Sequence, residues 1–126
     1  MLNKEDILNI LKQYNFDSSK YVVISGAALV LRGIKETTTD IDIAVTDDLY
    51  TQLLQEYNCT FEKNAGGGYK VWFINNIINF SNHYYDTIDY EEYLGYKVQK
   101  VESILKLKKE LNRDKDKLDI EKIESI

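Results

Sequence analysis

The segment 21–31 constrains the fold most, because it passes from a strand-forming to a helix-forming sequence within a few residues. It opens with the β-branched run Tyr-Val-Val-Ile, is interrupted by Ser25 and Gly26, and continues as Ala-Ala-Leu-Val-Leu before Gly33. β-branched residues favour strands, Ala and Leu favour helices, and glycine is common just past a helix end. The sequence therefore predicts a strand, a tight turn and a helix, packed into a fold that combines a sheet with helices.

A second pattern lies at residues 40–45, where Asp-Ile-Asp-Ile-Ala-Val alternates polar or small residues with apolar ones. Alternation with a period of two indicates a half-exposed strand, which directs Asp40 and Asp42 to the same side. Paired carboxylates are hard oxygen ligands of the kind that Mg²⁺ prefers. We therefore expect Asp40 and Asp42 to be catalytic and to bind Mg²⁺ or Mn²⁺. An ordinary strand with a polar outer face remains the alternative.

The Ser25-Gly26 turn is a candidate phosphate-binding element. A glycine between a strand and a helix lets the backbone approach a phosphate, and the N–H groups of the helix point towards it. Ser25 adds a hydroxyl donor. The alternative is a helix entry in which serine serves only as a cap.

The remaining pattern predicts further helices and strands. Asn3 and Asp6 form a capping pair for a first helix, and Thr46 begins another. Strands are expected near Phe61, at 69–74, at 77–80 after an Asn-Asn turn, and at 96–98, with residues 64–68 as a turn and 81–95 as a loop containing a short helical turn. Helices are expected from Val101 to the end of the chain. The predicted fold class is α+β, a mixed sheet flanked by helices with a helical C-terminus, in one domain spanning 1–126.

Composition excludes several classes of protein. The net charge of −5 disfavours a non-specific nucleic-acid binder, which needs a basic face. No apolar run approaches the ~20 residues of a membrane span. Cys59 is the only cysteine, and the acidic N-terminal residues do not match a signal peptide. We expect a cytoplasmic protein without a membrane partner.

Taken together, residues 22–45, "VVISGAALVLRGIKETTTDIDIAV", resemble the first motif of the DNA polymerase beta-like nucleotidyltransferase superfamily. In that family an apolar strand is followed by Gly-Gly or Gly-Ser and then by an acid-apolar-acid pair. The stretch looks closest to the small bacterial branch that includes abortive-infection toxins and antibiotic-type enzymes, in which a threonine such as Thr38 commonly precedes the acids. The resemblance implies the nucleotidyltransferase fold, a nucleoside triphosphate substrate and a Mg²⁺ cofactor.

The C-terminal sequence "LKLKKELNRDKDKLDIEKI" is similar to the ending of the same branch. Lys108, Arg113, Lys115, Asp116 and Asp119 occupy the comparable places. In relatives the lysine and the arginine face the nucleotide phosphates, so the resemblance makes Lys108 and Arg113 nucleotide-binding candidates. An ion-paired, solvated helix face is the alternative for each of them.

The pattern also departs from the family. The third carboxylate of the family lies on a later strand, and the matching position here is Asn79, an amide that cannot accept a proton from an attacking hydroxyl. Asp86 or Asp89 are the nearby carboxylates that could replace it. The resemblance predicts transfer of a nucleoside monophosphate to an acceptor hydroxyl on a small molecule, a protein or RNA.

Two alternatives stay open at this stage. The first is a catalytically degenerate binding or regulatory module of a toxin-antitoxin or defence system. The second is a plain α+β domain with surface acids. For the enzyme as well as for these alternatives, a partner protein or a second copy of the chain is an expected candidate to complete the site.

Overall fold

The computed structural model describes all 126 residues and contains seven strands, five α-helices and two short 3₁₀ turns, at Ser18–Lys20 and Asp114–Asp116. The strands are β1 (Tyr21–Val23), β2 (Ile41–Val45), β3 (Cys59–Gly66), β4 (Tyr69–Ile74), β5 (Ile78–Ser81), β6 (Tyr90–Tyr93) and β7 (Tyr96–Gln99). The helices are α1 (Lys4–Tyr14), α2 (Ser25–Leu31), α3 (Asp47–Glu56), α4 (Val101–Leu111) and α5 (Lys117–Glu124). The prediction of an α+β class with a mixed sheet is confirmed.

All seven strands belong to one sheet, in the order β3-β4-β5-β2-β1-β7-β6. Strand β2 lies between β1, with which it is antiparallel, and β5, with which it is parallel. The β1–β7 pair is also parallel, and the β3–β4, β4–β5 and β6–β7 pairs are antiparallel. The aspartates of the second pattern therefore lie near the centre of the sheet.

The helix starts follow the capping signals in the sequence. The Asn3 side chain accepts from the Asp6 N–H at 2.9 Å, and the Asp6 carboxylate accepts from the Asn3 N–H at 3.0 Å. The Thr46 hydroxyl accepts from the Leu49 N–H at 3.3 Å and begins α3. These bonds satisfy backbone donors that a helix leaves free in its first turn.

The core lies between the sheet and the helices. Helix α2 is buried along almost its whole length, from Ala27 to Leu31. Apolar residues of the other elements pack into the same cluster, among them Ile7, Ile43, Phe80 and Ile104. Burial of these side chains holds α2 and β2 in place, so that their polar ends meet at one edge of the core.

Three local predictions are corrected. Residues 81–95 contain strand β6, which pairs with β7 through a two-residue turn with positive φ at Leu94 and Gly95. This strand was not predicted because its sequence, Tyr-Glu-Glu-Tyr, is polar. The polarity reflects its position as an exposed edge strand of the sheet. Strand β3 continues to Gly66, so the turn to β4 is confined to Gly67 and Gly68. Helix α2 begins at Ser25 and not after Gly26. No helix has the length and apolarity needed to cross a membrane.

Candidate functional site

One open cleft, about 640 Å³ in volume, collects the residues that the sequence singled out. Its wall includes the start of α2, the acid-bearing end of β2, parts of β3 and β5, and the C-terminal segment. All six predicted site residues line it: Ser25, Gly26, Asp40, Asp42, Lys108 and Arg113. The volume is within the range of pockets that bind small molecules.

The two aspartates face this cleft in an environment that disfavours their charge. Burial, and then the neighbouring charges of Asp40 and Glu62, raise the pKa of Asp42 from 3.8 to about 7. Burial and the Glu62 charge also raise the pKa of Asp40. Carboxylates held at such cost are typical of sites that receive a compensating cation.

The residue beside Asp42 on the neighbouring strand is Asn79, its register partner in the parallel β2–β5 pair. A third carboxylate is nevertheless present, on Glu62. The Asn79 side-chain Nδ2 donates a hydrogen bond to Glu62 Oε2 at 3.1 Å. Glu62 lies on β3, which β4 and β5 separate from β2, and it lines the same cleft.

A β-bulge explains how Glu62 reaches the cleft. Phe61 pairs with Trp72 and Lys63 with the adjacent Val71, so Glu62 is the extra residue. In a regular strand consecutive side chains point to opposite faces, but a bulge breaks this alternation. Glu62 and Lys63 therefore both line the cleft. Sequence reasoning missed Glu62, because a bulge has no clear signature in a polar edge strand.

The other carboxylates proposed as replacements do not line this cleft. Asp89 lines a separate, smaller cavity of about 210 Å³, and its carbonyl accepts from the Lys100 N–H at 2.9 Å. Asp86 lines neither cavity.

The Ser25-Gly26 turn meets the cleft through its backbone. Ser25 adopts a left-handed φ of 53°, and its N–H donates to Gln99 Oε1 at 3.0 Å, so that this group is not free for a ligand. A Cβ on Gly26 would lie 3.0 Å from Thr38 Oγ1. The Thr38 backbone is held by two hydrogen bonds with Leu2, at 2.7 and 2.9 Å, so only the Thr38 side chain is left to give way. A side chain at position 26 is therefore restricted by Thr38, and no side chain caps the start of α2.

Lys108 and Arg113 belong to a set of paired charges that we call the C-terminal ion cluster: Lys35, Lys108, Arg113, Asp116 and Asp119. Lys108 Nζ lies 3.3 Å from Asp116 and 3.2 Å from Asp119. Arg113 holds Asp116 with two bonds of 2.7 and 3.1 Å, and Lys35 Nζ lies 3.2 Å from Asp119. The Arg113 hydrogen bonds lower the pKa of Asp116. The cluster joins α4 and α5 to the loop before β2.

His83 also lines the cleft, although the sequence gave no reason to place it there. Its ring is stacked between Tyr69, with centroids 4.5 Å apart, and Tyr84, at 3.9 Å. Its Nδ1 is buried and has no hydrogen-bond partner. The stack connects the tip of the β3–β4 hairpin to the loop after β5.

The residues at the cleft do not form a complete metal centre by themselves, since no three His, Cys, Asp or Glu side chains gather closely enough to hold an ion. Mg²⁺ commonly needs less from the protein, because it is bound by one or two carboxylates together with substrate phosphates and water. Asp40 and Asp42 suit such a shared site. Their raised pKa values show that the ionised carboxylates are disfavoured in the metal-free protein, and a bound cation would stabilise them. No family model, curated protein or solved structure matches the chain.

Proposed function

We propose that the protein is a nucleotidyltransferase related to the DNA polymerase beta-like superfamily, which transfers a nucleoside monophosphate from a nucleoside triphosphate to an acceptor hydroxyl. The observation that carries this proposal is the cleft shared by Asp40, Asp42 and the tightly packed Gly26 turn. A site for a divalent metal beside a backbone surface suited to phosphate is what binding of a metal-nucleotide requires. The parallel β2–β5 pair at the centre of the mixed sheet is consistent with the nucleotidyltransferase fold.

In this proposal each group has a defined task. Mg²⁺, bound by Asp40 and Asp42, would neutralise phosphate charge and polarise the α-phosphate. Gly26 lines the cleft without a side chain, so its backbone is the surface that the triphosphate would approach. The acceptor oxygen attacks the α-phosphorus in line, the bond from that phosphorus to the bridging oxygen breaks, and pyrophosphate leaves. Positioning and charge neutralisation account for most of the rate enhancement.

Glu62 supports the enzymatic form of this proposal. It brings a carboxylate to the cleft from a different strand from the one that carries Asn79. The acceptor hydroxyl must lose its proton, and a carboxylate within reach can take it. We therefore propose Glu62 as the proton acceptor, held in position by the Asn79 amide.

The second candidate is a nucleotide-binding or regulatory module that has lost catalysis, for example in a toxin-antitoxin or defence pair. Asn79 favours it, because an amide stands on the strand next to Asp42. The two candidates share the nucleotide site and differ in what happens to the bound nucleotide.

An assay of pyrophosphate release distinguishes the enzyme from the catalytically inactive binding module. The protein is incubated with each of the four ribonucleoside triphosphates and Mg²⁺, and pyrophosphate is measured together with transfer of an α-labelled phosphate. The first candidate predicts metal-dependent release that is lost in Asp40→Asn/Asp42→Asn and is reduced at least ~100-fold in Glu62→Gln. Asp86→Asn is the matched control and should release pyrophosphate at the wild-type rate. Binding of nucleotide with no release from any triphosphate, alone or with acceptor hydroxyls supplied, would favour the second candidate.

A further inference from the structure

The charged side chains of the cleft fall into two groups that differ in whether they already have partners. Five basic residues line the cleft: Lys35, Lys63, Lys108, Arg113 and Lys115. Three of them belong to the C-terminal ion cluster and point their donors at Asp116 and Asp119. Lys63 and Lys115 form no ion pair.

Lys108 is poorly placed to exchange its partners for a ligand. It is 9% exposed and bridges two buried carboxylates. Contact with a phosphate would draw Lys108 away from Asp116 and Asp119, and each of these buried carboxylates would keep only one of its two basic partners. Arg113 is subject to the same constraint through its two bonds to Asp116.

Lys63 and Lys115 are placed differently. Both are exposed, and they come from separate elements, Lys63 from the bulge of β3 and Lys115 from the 3₁₀ turn before α5. Both line the cleft that holds Asp40 and Asp42, and neither pairs with a carboxylate. Their ammonium groups are therefore free to move towards an anion in the cleft.

We infer that Lys63 and Lys115 are the residues that hold the phosphate tail of the metal-nucleotide, while Lys108 and Arg113 serve as a structural clamp for the C-terminal helices. This inference rests on the proposed function and names the phosphate-binding subsite within it. The five basic side chains of the cleft are matched by five carboxylates, so the cleft offers a triphosphate no net positive charge. A divalent cation supplies that charge, so the subsite binds triphosphate only together with metal.

Calorimetric titration with Mg²⁺ and inorganic triphosphate tests this subsite without a contribution from a base or a sugar, and a non-hydrolysable nucleoside triphosphate is titrated in parallel. We expect Lys63→Gln and Lys115→Gln each to weaken affinity about tenfold and the double variant about 100-fold, at unchanged melting temperature. The matched control is Lys70→Gln/Lys117→Gln. Lys70 is on the same hairpin and Lys117 is two residues from Lys115, but neither lines the cleft. This control should bind like the wild type.

Lys108→Met tests the other half of the inference, that Lys108 stabilises the fold and does not bind the triphosphate. At a temperature where it is fully folded, it should retain triphosphate affinity within about threefold. Wild-type affinity in the Lys63→Gln/Lys115→Gln variant, or loss of affinity in folded Lys108→Met, would overturn the inference and leave the proposed function intact. A wild-type protein that binds neither ligand with Mg²⁺ would instead contradict the proposed function itself.

Discussion

Asn79 stands directly opposite Asp42 across the parallel β2–β5 pair, and its amide donates to Glu62 and not to Asp42. The amide therefore links a carboxylate on an edge strand to the aspartate strand at the centre of the sheet. The charge of Glu62 in turn contributes to the raised pKa of both aspartates. The site thus depends on the β3–β4 hairpin as well as on the central strands.

Asn79→Asp tests this link. The new carboxylate lies beside Asp42 and can no longer donate to Glu62, so we expect the metal-free protein to lose about 1–2 kcal/mol of stability. Mg²⁺ should reverse part of that loss, because it relieves the added repulsion. Urea unfolding with and without Mg²⁺ measures both effects. The control is Asn9→Asp on the exposed side of α1. Equal responses of the two variants to Mg²⁺ would mean that position 79 does not act on the Asp40 and Asp42 pair.

The raised pKa of Asp42 predicts a pH dependence of stability. The folded state binds the Asp42 proton more tightly than the unfolded chain does, so metal-free stability should fall as the pH rises from about 4 to about 7 and then level off. Because the side chain keeps some contact with water, we expect a contribution of about 2 kcal/mol. Asp42→Asn should be the more stable protein at pH 8 and should flatten this part of the profile. Parallel profiles for the two proteins would show that Asp42 ionises normally.

The close approach of Gly26 to Thr38 predicts a specific rescue. Gly26→Ala places a methyl group 3.0 Å from Thr38 Oγ1, and we expect a loss of about 1–3 kcal/mol from overpacking. Thr38→Ala removes the opposing oxygen, so the double variant should recover much of that loss. Thermal unfolding of the four proteins gives the coupling between the two positions. Additive losses would mean that the two side-chain positions do not touch.

The buried position of Lys108 predicts that it matters more for stability than its neighbour in sequence. Lys108→Met leaves Asp116 and Asp119 short of a counter-charge, and we expect a loss of about 3 kcal/mol. Lys109→Met removes a pair with Glu124 in which both side chains are 52% exposed, and we expect less than about 1 kcal/mol. Chemical denaturation of the two variants decides the point. A loss as small for Lys108 as for Lys109 would mean that the clamp adds nothing to the fold.

The sequence predicted the features that are set by neighbouring residues and missed those that depend on contacts between distant parts of the chain. Several local predictions are correct: the helix caps at Asn3 and Thr46, strand β2 and the Asn-Asn turn. Each of these features is determined by a few consecutive residues. The order of strand, turn, helix and acid-bearing strand, together with the family resemblance, predicted that Asp40, Asp42 and Gly26 would lie together, and all three line one cleft. The partners of Lys108 and Arg113 could not be read in this way, because an ion pair depends on how two helices dock. Glu62 was missed for a similar reason, since its place depends on a bulge and on strand order.

Binding of a metal-nucleotide by Asp40 and Asp42 can be tested by a single calorimetric titration. Wild-type protein and Asp40→Asn/Asp42→Asn are titrated with a non-hydrolysable nucleoside triphosphate, each with Mg²⁺ and with EDTA. We expect saturable nucleotide binding by the wild type in Mg²⁺ but not in EDTA, and none by a double variant that remains folded. Binding that is equally strong in EDTA, or in the double variant, would contradict the claim, as would a wild-type protein that binds no nucleotide under any of these conditions.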